Sequence, residues 1–143
     1  MTHIFDLEEK YKDLDWHITP ESEESITQDV LLTFKYEYAG QSAEVTIDTE
    51  EFTALCPWTG LPDLGKLIVK YTPYQKCIEL KSLKYYLLSY RNVGIVQEHA
   101  ANRLLNDLVA SCQPIDMTVT LDYMVRGGIH TVVTANYERP HYD

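Results

Sequence analysis

Two side chains in one segment rich in proline and glycine could together carry out nucleophilic chemistry. Cys56 and Asp63 belong to the run Phe52-Thr53-Ala54-Leu55-Cys56-Pro57-Trp58-Thr59-Gly60-Leu61-Pro62-Asp63. A partly ionised thiol can attack an electrophilic carbon, and a nearby carboxylic acid can protonate the atom that becomes negative. The composition alone leaves a second interpretation open. A single cysteine is often a small buried hydrophobe, and an aspartate in a turn often binds backbone N–H groups.

A second block of side chains could bind an anion. It reads Glu79-Leu80-Lys81-Ser82-Leu83-Lys84-Tyr85-Tyr86. Lys81 and Lys84 are three residues apart at the start of a predicted helix, so they project from neighbouring points of one face. Such a pair could hold a phosphate while Glu79 binds another group. The same spacing is also typical of a solvated amphipathic helix.

The elements that must position these side chains follow from the spacing of apolar residues. Alternation predicts a hairpin of residues 30–39 and 43–47 and further strands over 66–74, 117–123 and 129–135. Residues 53–65 are predicted to form an ordered loop or a sequence of turns, because prolines and glycines cluster there. Helical periodicity covers residues 82–91 and 95–112. This order of elements predicts an α+β fold with an antiparallel sheet and two helices.

Length and composition favour one globular domain. The chain has 143 residues, and 45% of them are hydrophobic, which suits a single packed core. No stretch approaches the roughly 20 apolar residues that span a bilayer. The first residues, Met1-Thr2-His3-Ile4-Phe5-Asp6, lack the pattern of a signal peptide. We therefore expect a cytoplasmic protein without a membrane partner.

The acidic charge is concentrated near the N-terminus. Of the formal net charge of −10, residues 1–29 contribute −7 from nine acidic and two basic side chains, and residues 30–143 contribute −3. We interpret residues 1–29 as a solvated acidic segment and residues 30–143 as a single catalytic domain. This balance argues against a protein that grips nucleic acid through its phosphates, so no direct nucleic-acid binding is expected.

The remaining cysteines and the histidines indicate no disulfide or metal site. Cys56, Cys77 and Cys112 form no CxxC pair, and their odd number is typical of free thiols. Cys112 lies on the apolar stripe of the predicted helix 95–112, which indicates core packing. The five histidines form no HxH or HExxH pattern, so no metal ligands are predicted.

Taken together, the motifs resemble the 7-cyano-7-deazaguanine reductases of the queuosine pathway, in which a tRNA base is modified. Glu79 to Tyr86 satisfies every position of that family's signature, and Phe52 to Asp63 resembles its nucleophile loop. Two further matches lie downstream: Tyr90-Arg91-Asn92-Val93-Gly94-Ile95 and Arg126-Gly127-Gly128-Ile129. The resemblance runs from about Phe52 to Tyr137, most of the predicted body of the chain.

The resemblance implies a covalent mechanism. The Cys56 thiolate would add to the nitrile of the deazapurine to form a thioimide, and Asp63 would protonate the nitrogen. Two molecules of NADPH, used in succession, would complete the four-electron reduction to the aminomethyl product. Capture by the enzyme would divide a difficult hydride transfer into smaller steps.

The resemblance also implies which residues bind the ligands. Substrate contacts carry over onto Ile78, Glu79, Leu80, Gln97 and Glu98, and Glu98 suits the N–H donors of a deazaguanine edge because a carboxylate only accepts hydrogen bonds. Cofactor contacts carry over onto Leu80, Lys81, Arg126 and Gly127, with the two cations suited to phosphate. The chain has no GxGxxG run, so cofactor binding of the Rossmann type is not expected.

One position departs from the family pattern. The residue before the glutamate is histidine in well-known members, whereas this chain has Gln97, with His99 two positions later. Gln97 can donate a hydrogen bond but cannot titrate, which puts a family proton relay through this position in question. His99 is open to a direct role or to a surface or interface position, and residues 97 and 99 of a helix point about 200° apart.

The family resemblance further implies the tunnelling fold of the GTP cyclohydrolase I-like superfamily. In that fold subunits join their sheets into a ring, here a pentamer or decamer, with active sites between subunits. Two other functions stay open. One is an amidinotransferase-type relative that captures the nitrile in tRNA without reducing it, which the complete Glu79–Tyr86 motif and the acidic charge disfavour. The other is a non-catalytic deazapurine-binding protein, which the combination of Cys56 and Asp63 disfavours.

Overall fold

The fold is α+β, with a mainly antiparallel sheet covered by two helices. The computed structural model describes residues 3–11 and 19–141. Its strands are β1 (Thr33–Lys35), β2 (Val45–Leu55), β3 (Pro62–Thr72), β4 (Lys76–Ile78), β5 (Asp116–Tyr123) and β6 (Val132–Glu138). Its α-helices are α1 (Leu7–Tyr11), α2 (Leu80–Leu88) and α3 (Gln97–Cys112). Single turns of 3-10 helix cover Ile4–Asp6, Glu23–Ser25 and Gln28–Val30.

The main sheet has four antiparallel strands in the order β2-β3-β5-β6. Strands β2 and β3 pair from Val45 opposite Tyr71 to Leu55 opposite Pro62. The predicted alternation of β5 is confirmed, since its apolar positions 117, 119, 121 and 123 are buried and the positions between them are not. One face of this sheet therefore supplies the floor of the core.

Helices α2 and α3 complete that core. The predicted stripe of α3 is confirmed, because Ala101, Leu104, Leu105, Leu108 and Cys112 are all buried. Both helices contribute to the same apolar cluster as β2, β3 and β5. Of the residues that the structure describes, none belongs to a helix long and apolar enough to cross a membrane.

The predicted hairpin of residues 30–39 and 43–47 is wrong. The first strand is reduced to Thr33–Lys35, and it pairs with β4 in a separate two-stranded sheet. Strand β2 pairs with β3 instead, over almost its whole length. Alternation marks each segment as a strand, but the choice of partner depends on how many residues can pair, and β3 offers β2 a much longer partner than β1 does.

Two further predicted elements have different boundaries in the structure. The loop predicted for residues 53–65 contains only residues 56–61, because β2 runs to Leu55 and β3 starts at Pro62. A proline is compatible with the first position of a strand, where its missing N–H costs no ladder bond. The last strand covers Val132–Glu138 rather than residues 129–135, since the turn before it reaches further along the chain.

Part of the acidic N-terminal segment packs on the body. Ile26 is buried in the core cluster at 6% exposure, and Glu21 forms a parallel bridge with Val93. The portion of that segment at residues 1, 2 and 12–18 lies outside the described residues, as do residues 142 and 143 of the C-terminal tail. The division of the chain at residue 29 stays a prediction.

Candidate active site

The nucleophile candidate lies in a tight loop between two long strands. Cys56 follows the last residue of β2, and its N–H donates to the carbonyl of Leu61 at 2.9 Å, while its own carbonyl accepts from Gly60 N–H at 2.8 Å. Gly60 has φ of +69°, a left-handed conformation that favours glycine. These bonds fold residues 56–61 into a closed turn, which fixes the position of the thiol relative to β3.

The Cys56 side chain is buried, yet its thiol is acidic. The residue is 8% exposed, and burial by itself raises the pKa of a thiol. Hydrogen bonds from the Thr59 hydroxyl, the backbone N–H groups of Thr59 and Trp58, and the Arg126 guanidinium outweigh that effect and lower the pKa of Cys56 from 9.0 to about 7. A large fraction of the thiol is therefore ionised near neutral pH, which suits a nucleophile.

Arg126 links the nucleophile loop to the candidate acid. Its Nη1 lies 2.8 Å from Oδ1 of Asp63, and its Nη2 donates to Oγ1 of Thr59 at 2.9 Å. The Asp63 side chain is only 7% exposed, whereas that of Arg126 is 39% exposed. The guanidinium fork thus sets Asp63 and the Cys56 loop side by side and leaves part of its surface open to a ligand.

Arg126 is delivered by a glycine turn. The N–H groups of Arg126 and Ile129 each donate to the other residue's carbonyl at 3.0 Å. Gly127 and Gly128 between them have φ of +58° and +77°, where a side chain would be strained. This turn directs the arginine from the end of β5 back towards β3.

These groups line one cleft of about 280 Å³. Cys56 and Asp63 lie on one side of it, and Gln97 and Glu98 come from the first turn of α3. The other lining residues are Pro57, Trp58, Val96, Arg126, Ile129 and Thr131. The structure therefore brings together five of the residues selected from the sequence: Cys56, Asp63, Gln97, Glu98 and Arg126. Among the described residues, no cluster of His, Cys, Asp or Glu could hold a metal ion.

The four selected residues at positions 78–81 lie at the opposite end of the sheet, whereas Gly127 lies in the turn beside Arg126. The N–H of Ile78 donates to the phenol oxygen of Tyr71 at 3.0 Å, and Ile78 is followed directly by Glu79, Leu80 and Lys81. Tyr71 is eight residues beyond Asp63 on β3, roughly 26 Å along a strand. One chain therefore does not bring Ile78, Glu79, Leu80 and Lys81 to its own Cys56 cleft.

Glu79 caps helix α2. Its two carboxylate oxygens accept the N–H groups of Lys81 at 2.9 Å and Ser82 at 2.7 Å. These backbone bonds lower the pKa of the Glu79 carboxyl. Such a cap satisfies two N–H groups that a helix start leaves unpaired. The side chains of Leu80 and Lys81, which follow this cap, are exposed.

A groove of about 400 Å³ lies between α2 and β2. Leu80 and Lys84 line it together with Arg91, just beyond the end of α2. On the strand side it is lined by Ile47, Thr49, Glu51 and Thr53. Leu80 is 59% exposed, an unusual position for leucine at the start of a helix. The groove combines an apolar floor with cations that could meet phosphate.

Three other residues, Cys112, His99 and Thr59, lie in different environments. Cys112 is buried in the core at 1% exposure, as predicted, and burial raises its pKa to about 12. His99 is exposed and is not among the residues that line the cleft. Thr59 was not singled out from the sequence, because only the folded turn brings its hydroxyl to the thiol and to Arg126.

Comparisons with known proteins agree with this geometry. A family model described as "QueF-like protein" matches residues 62–142, more than half of the chain. The chain belongs to the QueF-like family. The resemblance inferred from the motifs is thereby confirmed.

Two relatives of known name illustrate the match within the QueF-like family. An NADPH-dependent 7-cyano-7-deazaguanine reductase of Caldicellulosiruptor bescii is 55% identical over 116 residues, which cover 81% of this chain and 88% of the relative. The enzyme of the same name from Caldanaerobacter subterraneus subsp. tengcongensis is 48% identical over 136 residues, 95% of this chain and 100% of the relative. Alignments of this length necessarily include both the nucleophile loop and the start of α2.

One solved structure shows the same fold. It is described as the archaeosine synthase QueF-Like in the apo form, and it superposes with a TM-score of 0.64 over 71% of this chain and 99% of that chain. The sequence identity is 24%, so the likeness extends to the arrangement of strands and helices and carries no statement about activity.

Proposed function

We propose that this chain is an NADPH-dependent 7-cyano-7-deazaguanine reductase, which converts the nitrile of its substrate to an aminomethyl group in the queuosine pathway. The observation that carries the proposal is the acidic Cys56 thiol, with pKa about 7, beside the buried Asp63 carboxyl in a cleft. The relatives named for this reaction are 46–55% identical to the chain over most of its length.

The proposed covalent step uses groups that already lie together. The Cys56 sulfur attacks the nitrile carbon, a carbon–sulfur bond forms, and one carbon–nitrogen π bond breaks. Before attack, the Cys56 thiol passes its proton to the Asp63 carboxylate, which is ion-paired with Arg126. The electron pair of the broken bond moves to nitrogen, which takes that proton from Asp63, so that a neutral thioimide results. Arg126 contacts both partners and stabilises the thiolate before attack.

The first turn of α3 provides groups that could recognise the base. Glu98 is a carboxylate at the cleft wall, and as an acceptor it complements the N–H donors of a deazaguanine edge. Gln97 can donate one hydrogen bond and accept another, but it cannot exchange a proton with the nitrile nitrogen. We therefore assign the proton to Asp63 and the recognition to Glu98 and Gln97.

The cationic side chains fit a phosphate-bearing cofactor. NADPH, when bound, supplies the hydride for the reduction. Arg126 uses three N–H groups within the chain, for Asp63, Thr59 and Cys56, and has two others for a phosphate. The exposed Leu80 lines the groove beside α2, and Lys81 is the next residue in the chain. Gly127 leaves the approach to Arg126 open because it has no side chain. These residues are the proposed cofactor contacts.

We further propose that each complete site contains two copies of the chain. Cys56, Asp63 and Glu98 would come from one copy, and Ile78, Glu79, Leu80 and Lys81 from another, since a single chain separates the two sets. Within the described residues, β2 and β6 each have a neighbour on one side only. Long strands with unpaired backbone groups favour pairing with another chain, and repeated pairing of this kind gives a ring.

One assay tests the proposed reaction. The purified protein is mixed with 7-cyano-7-deazaguanine and NADPH, and nicotinamide absorbance is followed together with the intact mass. We expect two NADPH consumed per nitrile, and without cofactor a covalent adduct of one substrate mass. Cys56→Ala should abolish both signals, while Cys77→Ala, which alters a buried thiol outside the cleft, should retain them.

The other outcomes identify the competing functions. An adduct without any NADPH oxidation, in the presence of both compounds, would replace the reductase by a nitrile-capturing transferase. Binding of the deazapurine with neither adduct nor oxidation would leave a non-catalytic binding protein.

A further inference from the structure

The segment before the first core residue forms backbone contacts behind the nucleophile loop. Glu21 N–H donates to the carbonyl of Asn92 at 2.7 Å, and the carbonyl of Glu21 accepts from Gly94 N–H at 2.9 Å. Residues 92–95 also bond to the end of β2, where the Leu55 N–H donates to the carbonyl of Val93 at 2.9 Å. Residues 20–21, 92–95 and 55 therefore form a small ladder that ends one residue before Cys56.

The ladder is closed by a further bond. Ile95 N–H donates to the carbonyl of Leu55 at 3.1 Å. Both backbone groups of Leu55 are thus committed to residues 93–95, and the next residue is the nucleophile. Gln97, which lines the cleft, is only two residues beyond Ile95. A shift of residues 92–95 would therefore move both the Cys56 thiol and the first turn of α3, which is proposed to recognise the base.

Gly94 leaves room for a specific neighbour. A Cβ at Gly94 would lie 2.7 Å from Cβ of Pro20, and 3.4 Å from Cα of Pro57. The first distance is far too short and the second is ordinary van der Waals contact. Gly94 is not among the residues with positive φ, so its backbone conformation does not require glycine. The space that a side chain would occupy is taken by the proline ring.

We propose that Pro20 and Glu21 are positioning residues for the nucleophile, acting through Val93 and Gly94 on Leu55 and the Cys56 loop. The inference rests on the proposed function in that Cys56 is taken as the attacking group. It assigns a task to the N-terminal segment, and it accounts for the glycine of the Tyr90–Ile95 motif.

Burial distinguishes this task from simple anchoring. Ile26 is buried at 6% exposure and attaches the segment to the core. Pro20 is half-buried and Glu21 is exposed, so these two residues contribute little apolar burial. Their contacts are two backbone hydrogen bonds and one close approach, which fix a position more than they add stability.

A double-mutant cycle tests the close approach. Gly94→Ala should push the ladder away from Pro20 and slow alkylation of Cys56 by iodoacetamide at pH 7 by about tenfold, because small misplacements of reacting groups are costly. Pro20→Gly alone should slow alkylation less than Gly94→Ala does, because it loosens the contact at position 94 and leaves the hydrogen bonds of the ladder in place. The double variant should regain most of the lost rate, because the added Cβ then has room. Pro140→Gly, at an exposed proline, controls for loss of a proline.

Two substitutions of Glu21 test its hydrogen bond to Asn92 without changing Gly94. Glu21→Pro removes the N–H that donates to Asn92, whereas Glu21→Ala keeps it and removes only the charge. We expect slower alkylation of Cys56 and a lower kcat in the proline variant, and rates near those of the parent chain in the alanine variant. This pair remains decisive if Gly94→Ala does not fold.

The outcomes separate this inference from the proposed reaction. Equal alkylation rates in folded Glu21→Pro and Glu21→Ala would overturn it, as would a double variant no faster than Gly94→Ala. If the parent chain oxidises no NADPH, the reductase proposal fails. The alkylation rates still decide whether Pro20 and Glu21 position Cys56.

Discussion

The two ends of the β2–β3 pair differ: a single chain assembles the groups around Cys56 at one end, but leaves the residues at the start of α2 without a ligand-binding partner surface at the other. At the Cys56 end, a thiol, a carboxyl and a guanidinium are linked by hydrogen bonds within one chain, and the thiol and carboxyl are buried. At the other end, Glu79 is used as a helix cap and Leu80 and Lys81 are exposed. The first end has the character of an assembled active site, and the second that of half a binding site.

The difference suggests how the work is divided. Covalent chemistry needs the sulfur, the acid and the charge that activates the sulfur within hydrogen-bond reach, and one chain supplies this arrangement. Recognition of a large substrate and cofactor needs a broad surface, which two chains can supply at their junction. The exposed leucine at the start of α2 is explained if another chain covers it.

The largest expected effect comes from the acid of the assembled end. Asp63→Asn removes the carboxylate that pairs with Arg126 and that carries the proton from sulfur to nitrogen, so we expect turnover to fall by about 10²- to 10⁴-fold. Steady-state NADPH oxidation measures the loss. Asp116→Asn, at an exposed position of β5, should leave turnover unchanged. If the Asp63 variant retained most of its activity, the proton would have to come from another group.

Mixing two inactive variants tests whether the second end completes a neighbour's site. Cys56→Ala removes the nucleophile, and Lys81→Glu places a negative charge where a phosphate is expected. Mixed oligomers formed by joint refolding or co-expression should recover activity at about a quarter of the sites, those with both intact halves. NADPH oxidation is measured on the mixture and on each variant alone. If no activity returns although the variants co-assemble, the site does not combine two chains in this way.

A smaller effect is expected from the charge beside the thiol. Since the folded-state pKa of Cys56 is lowered to about 7, alkylation of the parent chain should rise with pH through about 7 and then level off. Arg126→Gln removes a donor that favours the thiolate, so the midpoint should move to higher pH and the rate at pH 7 should fall several-fold. Arg91→Gln, outside the cleft, should leave the pH profile in place. An unchanged midpoint in Arg126→Gln would show that Arg126 does not lower the pKa of the Cys56 thiol.

The smallest effect on the cleft is expected from Leu80. Because this residue is 59% exposed, Leu80→Ser should change neither the alkylation rate of Cys56 nor the far-ultraviolet circular dichroism. It should shift the sedimentation profile at low protein concentration towards smaller species, since it weakens a contact between chains. An unaltered sedimentation profile would show that Leu80 does not contribute to assembly.

Part of the site could be predicted because its residues are neighbours in the chain. Cys56 and Asp63 belong to one run of twelve residues, and Glu79 to Tyr86 is a continuous motif. The contact of Arg126 with Thr59, across 67 positions, could not be predicted in this way. The family resemblance assigns Arg126 to the cofactor, and the fold shows that it also contacts the loop that carries Cys56.

The hairpin that was predicted wrongly has the same explanation. Alternation is a local property, and it correctly indicates extended chain at residues 33–35 and 45–47. Pairing is a competition among all strands, decided by length and register. The longer match between β2 and β3 leaves β1 to pair with β4.

The sequence by itself determined the chemical groups, the family motifs and the periodicity of α3 and β5, because each of these is written in neighbouring residues. Only the tertiary structure decided that Cys56 has a pKa near 7, since that value depends on burial and on donors from distant positions. The tertiary structure also decided that the two motifs lie at opposite ends of a sheet, because strand pairing fixes distances that sequence spacing does not contain.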